Sequence, residues 1–232
     1  MTRSFAIALC LSAPGALAAP MAHADSVAKY VTAEEITGVV VEADSGRPIA
    51  NAVVAIRFER NNTGHSGPHC FRSMAVETDA QGRFRFAPWT QDNTQANATY
   101  GDVKAYKAGY AVPWHGVEVH QARRSILGIS FSDTIKIPKT DVRLEMKPFV
   151  GSDEERMREL RPLVANFACR MQAYFDDMVL LTSVRDEIAS SPVANQKFPN
   201  GGYTHSGWIN EIIKDSTDPR MPNIRTDTHE KK

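Results

Sequence analysis

Between Glu35 and Tyr110 apolar and polar positions alternate in short runs broken by turn residues. Ile36, Gly38, Val39 and Val41 open the pattern, Asp44-Ser45-Gly46-Arg47-Pro48 interrupts it, and Ala52 to Phe58 resumes it. That is strand, turn, strand. Met74 to Glu77 lead into Thr78-Asp79-Ala80-Gln81-Gly82 and out through Arg83-Phe84-Arg85-Phe86. Side chains alternate across a strand, so Phe84 and Phe86 share one face and Arg83 and Arg85 the other. The polar run from Gln91 to Thr99 is expected to be a surface loop, Asp102 to Tyr106 a strand, and Ala111 to His120 an edge strand because of Pro113. Asp141 to Met146 closes the β pattern.

The pattern changes at Pro148. Ser152 and Glu155 form a capping box, with Asp153 and Glu154 in a first turn that favours acids. A helix is expected from there, with a kink or break at Arg161 ahead of Pro162. Leu160, Val164, Phe167, Met171, Tyr174, Met178 and Leu181 then recur at spacings of three and four. They read as one continuous helical stripe, suited to docking on the β domain or to a coiled-coil partner. A shorter amphipathic piece surrounds Trp208, Ile209, Ile212 and Ile213.

The β segments in their order, Ile36-Thr37-Gly38-Val39-Val40, Gly46 to Val54, Thr78 to Phe86 and Lys107-Ala108-Gly109-Tyr110, resemble the carboxypeptidase regulatory-like domain. The resemblance implies a mainly β fold: a seven-stranded, transthyretin-like or Ig-like antiparallel sandwich, with Gly46 and Gly82 at turn positions. It implies a non-catalytic module, with no cofactor. The chain departs from that family in a long loop from Arg60 to Pro68 and in the stretch from His120 to Lys139. The expected organisation is a leader over 1–24, the β domain over 34–148, a helical extension over 149–214 and a flexible tail over 215–232.

The leader is read from Arg3, the apolar run Phe5 to Ala19, and Ala22-His23-Ala24, which offers small residues to a signal peptidase. Pro14, Gly15 and Pro20 interrupt the run short of the roughly 20 apolar residues of a spanning helix. A periplasmic or secreted protein with no membrane span after processing is expected. Cys10 leaves with the leader, and Cys70 and Cys169 remain for a disulfide in an oxidising compartment. The 27 basic and 27 acidic residues balance. With no basic cluster, nucleic-acid binding is not expected. The expected partner is an envelope protein or a glycan.

Candidate chemistry is sparse. His65, His69 and Cys70 lie close enough to contribute metal ligands, although zinc sites want four donors or three plus water. That spacing supports the alternative reading, a metal-dependent enzyme. Gly64-His65-Ser66-Gly67-Pro68 departs from a nucleophile elbow because Pro68 stands where the second glycine belongs. Pro48-Ile49-Ala50-Asn51-Ala52 and Thr78 to Phe86 are also similar to segments of intradiol dioxygenases. That resemblance implies iron held by two tyrosines and a close histidine pair, and the chain contains no His-x-His. The expected binding surface comprises Arg60, His65, His69, Trp114 and His115, since exposed loops on a rigid scaffold are where recognition is usually placed.

Overall fold

The computed structural model describes residues 28–61, 68–96, 98–113, 116–120, 134–167, 174–176, 178–197 and 203–217. The fold is mainly β with a helical C-terminal region, as the hydrophobic pattern predicts, and the described residues of that region form three helices and one short strand. Sheets of three, three and five strands exceed the seven strands expected. In chain order the strands are β1 (Ala28–Ala33), β2 (Ile36–Glu42), β3 (Val53–Asn61), β4 (Pro68–Glu77), β5 (Arg83–Phe86), β6 (Trp89–Ala96), β7 (Ala98–Tyr106), β8 (Val117–His120), β9 (Thr134–Ile137), β10 (Thr140–Met146) and β11 (Tyr174–Asp176). The helices are α1 (Asp153–Phe167), α2 (Met178–Ser190) and α3 (His205–Thr217).

The two small sheets, ordered β6-β1-β9 and β10-β2-β5, form one ribbon with a jog. Tyr30 stands opposite Thr134 and Glu42 opposite Met146, the same register on both sides of Glu34 and Glu35. Ile36 opposite Phe86 likewise continues the register of Ala33 opposite Trp89. Three pairings are parallel, β1 with β9, β2 with β10 and β4 with β11, so the purely antiparallel expectation is corrected. Alternation marks a strand without fixing the direction of its neighbour.

The large sheet runs β11-β4-β3-β7-β8 and is apolar on both faces. Val54, Ile56 and Phe58 join residues of both small sheets, among them Ile36, Phe86, Trp89, Ile135 and Leu144, in one buried cluster. Val53 and Ala55 face the other way, onto Leu160, Leu163, Val164, Leu180, Leu181 and Val184 of the helices. The unbroken run Val53 to Ile56 is therefore a strand covered on both sides. Docking on the β domain holds for the buried stripe residues Leu160, Val164 and Leu181.

Several boundaries differ from expectation. Gln91 to Ala96 belong to β6, and Ala98 and Thr99 to β7, where a loop was expected. Pairing with β1 holds the polar β6 in place, including a Thr32–Thr90 hydroxyl contact at 3.2 Å. β1 precedes the expected domain start at Glu34, yet its Val31 and Ala33 are fully buried. Among the described residues of the Ala111 to His120 stretch, Val117 to His120 form a strand, at the sheet edge as Pro113 suggested. Arg60, Asn61 and Pro68, within the stretch expected to be a long loop, belong to β3 and β4, and Asn61 pairs with Pro68. α3 runs to Thr217, past the expected start of the tail.

The single stripe is also divided, because Tyr174 lies in β11 while Leu160 and Val164 lie in α1 and Met178 and Leu181 in α2. Phe167 ends α1 and Met171 lies outside the described residues. Ser152 caps α1 as expected: Glu155 N donates to Ser152 Oγ at 3.3 Å, and Ser152 N to Glu155 Oε2 at 2.8 Å. These bonds hold the Glu155 carboxyl below its usual range, the Ser152 backbone bond contributing most. Pro162 does not end α1. A proline inside a helix costs about 3 kcal/mol. Leu160, Leu163 and Val164 are 0 to 2 % exposed, and burying each such side chain returns about 1.5 to 3 kcal/mol. Packing wins.

Gly82 has φ +70°, and a Cβ there would lie 2.5 Å from the Val40 carbonyl oxygen. Gly82→Val should therefore destabilise by at least the 1 to 3 kcal/mol of order expected for backbone strain. Urea unfolding checks this, and an unchanged midpoint would mean that the turn is misread.

Candidate functional site

The large sheet turns one face to the helices, and that face changes character along its length. Val53, Ala55 and Tyr106 lie beneath the helical layer. Continuing along β3 and β7, the same face presents Lys104, Asp102, Arg57, Glu59 and Tyr100, all at alternate positions. Arg57 Nη2 lies 2.6 Å from Glu59 Oε1. Tyr100 donates its hydroxyl to Glu59 Oε2. Its phenol is pushed up to about 12, by burial first and then by that carboxylate. His120 of β8 stands opposite Tyr100 and meets Glu118 Oε2 at 3.0 Å. Arrayed charges on a strand can hold a polar ligand. Here most of them already hold one another.

Of the expected binding residues, the described ones, Arg60 and His69, are brought together by the fold. Arg60 stands opposite His69, one rung beyond Glu59 opposite Cys70, at the end of the sheet that also carries Tyr100 and His120. His65, Trp114 and His115 lie outside the described residues. Gly116, next to them in the chain, sits against Asp102, and Val117 pairs with Val103. Val117 thus joins the sheet three rungs from the Tyr100–His120 rung. His120 is not among the residues of that expected surface, and its pairing with Tyr100 sets its face. Among the described residues no group of three or more His, Cys, Asp or Glu could hold a metal ion.

A more enclosed site lies where α1 crosses the large sheet. Lys104, Val112, Pro113, Pro162, Leu163, Glu155, Arg158 and Glu159 line a cleft of about 210 Å3. The Lys104 side chain is only 8 % exposed, and its Nζ is 3.4 Å from Asp102 Oδ2. Glu159 closes one side, accepting from Val112 N at 3.4 Å and from Arg156 Nη1 at 3.0 Å. In the sequence Lys104 reads as an ordinary polar position in Asp102-Val103-Lys104-Ala105-Tyr106. Its sharing a face with Tyr106 was the available signal, because a strand residue beside a buried aromatic is a place for a helix to cover.

A buried histidine on the helical side responds to pH. At His205 burial first, then the nearby Arg161 charge, hold the imidazole below its usual 6.5. The unfolded chain then takes up a proton that the folded chain resists, so stability rises with pH through this window. It is full above 6.5 and declines as pH falls below it, until the folded imidazole also becomes protonated. His205→Gln should flatten the melting temperature between pH 7.5 and 5, and an identical slope in the variant would contradict this.

No protein-family model matches the sequence, and no curated protein does. Among solved structures, 3-chlorocatechol 1,2-dioxygenase from Rhodococcus opacus 1CP is similar over 54 % of this chain and 62 % of its own, at 10 % identity and TM-score 0.29. An intradiol ring-cleavage dioxygenase from Tetranychus urticae matches 56 % of this chain and 86 % of its own, at 13 % identity and TM-score 0.30. An alternative pilotin from the type II secretion system of Vibrio cholerae matches 51 % and 98 %, at 11 % identity and TM-score 0.27. The chain spans less than two thirds of the first of these.

Proposed function

We propose that this chain is an exported, non-catalytic binding protein, built on a carboxypeptidase regulatory-like sandwich whose outer face is closed by a helical layer. The leader carries the export reading. Positive φ at Gly46 and Gly82, where the resemblance requires turn glycines, supports the domain reading. So does a core shared by all three sheets. The observation that carries binding is the cleft between α1 and the Val112–Pro113 segment. It combines apolar walls with a few polar groups, the usual composition of a ligand site.

Native mass spectrometry of the processed protein after exposure to an envelope extract tests this. A non-covalent adduct that disappears in Val112→Trp, which fills the cleft from a partly buried position, is the expected result. An adduct that persists unchanged in that variant would move binding elsewhere. Stoichiometric zinc in the purified protein would overturn the non-catalytic reading in favour of the His65, His69 and Cys70 enzyme.

A further inference from the structure

Resting on that reading of the cleft, we propose that its ligand is a small neutral alcohol whose hydroxyl donates to the backbone carbonyl of Arg158. Size comes first. A cleft of about 210 Å3 has room for about seven water molecules at roughly 30 Å3 each, which suits a body of a few carbons. Val112, Pro113, Pro162 and Leu163 offer that body apolar surface. Charge excludes an ion. Two cations and two carboxylates line the cleft, and each already meets an opposite charge. Lys104 Nζ is 3.4 Å from Asp102 Oδ2, which is not its sole partner. Glu159 Oε2 is 3.0 Å from Arg156 Nη1, and Glu155 Oε1 is 4.0 Å from Arg158 Nη2. A charged ligand has to compete with one of these pairs, and a neutral one does not.

Hydrogen bonding decides the head group. Proline carries no N–H, so position 162 cannot make the helical bond to the carbonyl of Arg158, four residues earlier. α1 nevertheless runs on through Pro162 to Phe167. Residues four apart share one helix face, and both Arg158 and Pro162 line the cleft. The carbonyl that lost its helical donor therefore belongs to the same wall as the ring that displaced that donor. Glu159 adds a second acceptor to this wall, since the bonds it receives from Val112 N and Arg156 Nη1 both fall on Oε2. An entering hydroxyl supplies the hydrogen that proline withholds while its carbons lie against Pro162 and Leu163. An ether of the same size has none to give, and its oxygen meets other acceptors.

Calorimetric titration of the processed full-length protein with pentanol, its isomer butyl methyl ether, pentanoate and pentylamine tests the assignment. Saturable binding of pentanol is expected, with a matching rise in melting temperature. It should be about three- to tenfold tighter than binding of the ether, the scale of one neutral hydrogen bond, and tighter than that of either ion. Pro162→Ala returns an N–H to the Arg158 carbonyl. It widens the cleft equally for both isomers, so it should remove the preference of pentanol over the ether. Val112→Trp should abolish binding of both while remaining folded. A preference that persists in Pro162→Ala, or an ether that binds wild type as tightly as pentanol, would overturn the carbonyl assignment but leave the cleft a binding site. Pentanoate or pentylamine binding more tightly than pentanol would overturn the neutral ligand. Pentanol binding that survives Val112→Trp would place the alcohol elsewhere. If none of the four binds, the assignment falls, and the fate of the extract adduct in Val112→Trp still decides the binding reading separately.

Discussion

Arg156→Met should lower the unfolding free energy by about 3 to 5 kcal/mol, the scale for removing one partner of a buried ion pair. The Arg156 side chain is 5 % exposed and that of Glu187 15 %. The guanidinium grips Glu187 with two bonds, Nε to Oε1 at 2.8 Å and Nη2 to Oε2 at 3.0 Å. Its Nη1 donates to the Tyr110 carbonyl at 2.6 Å and to Glu159 at 3.0 Å. Tyr106 of the sheet donates to Glu187 Oε2 at 2.6 Å, and burial, followed by that carboxylate, pushes its phenol far up. One guanidinium thus joins α1, α2 and the segment after β7. Methionine would fill much of the volume while leaving the Glu187 carboxylate without its guanidinium. Lysine would not rescue, because an ammonium cannot reproduce the two parallel bonds. Urea unfolding checks the size, and a cycle with Glu187→Gln should give a coupling of about 0.5 to 3 kcal/mol. A loss below about 1 kcal/mol would mean that hydrophobic contacts alone hold the helical layer.

Local chemistry was legible in the sequence wherever one short segment determines the outcome. Ser152 and Glu155 cap α1 because the donors and acceptors concerned lie within one turn. Gly82 shows itself because a turn needs its backbone freedom. What depends on distant partners was not legible. β6 is polar and has no hydrophobic rhythm of its own, and β1 holds it in register. Parallel pairing of β2 with β10 joins segments far apart in the chain, and neither strand's pattern announces its neighbour's direction. Pro162 was read by its local cost, which burial of Leu160, Leu163 and Val164 outweighs. The cleft was missed for the same reason as the fate of Lys104. A lysine in a strand reads as exposed until the helix that covers it has been placed.

The Cys70–Cys169 disulfide should contribute roughly 4 to 5 kcal/mol, since closing a loop of about 100 residues removes that much chain entropy from the unfolded state. The expectation rests on an oxidising compartment and on two cysteines left after processing. Cys169 lies outside the described residues. The flanking structure nevertheless bears on the pairing. A helix continuing past Phe167 would rotate Cys169 away from a docked stripe at about 100° per residue. The chain is already a strand at Tyr174, so that rotation does not govern the segment's end. Tyr174 stands opposite Arg72 in a parallel pair, two residues along β4 from the half-buried Cys70. β11 therefore begins two residues along β4 from Cys70, and a bridge requires the two Cα atoms to come within about 4.4 to 6.8 Å. Replacing both cysteines by alanine should then lower stability in urea by nearly the full chain-entropy amount, less any native strain. Intact mass of the non-reduced, alkylated protein decides the pairing itself. An unalkylated monomer is expected; two alkyl groups on a monomer would exclude the bridge, and a covalent dimer would show that it forms between chains.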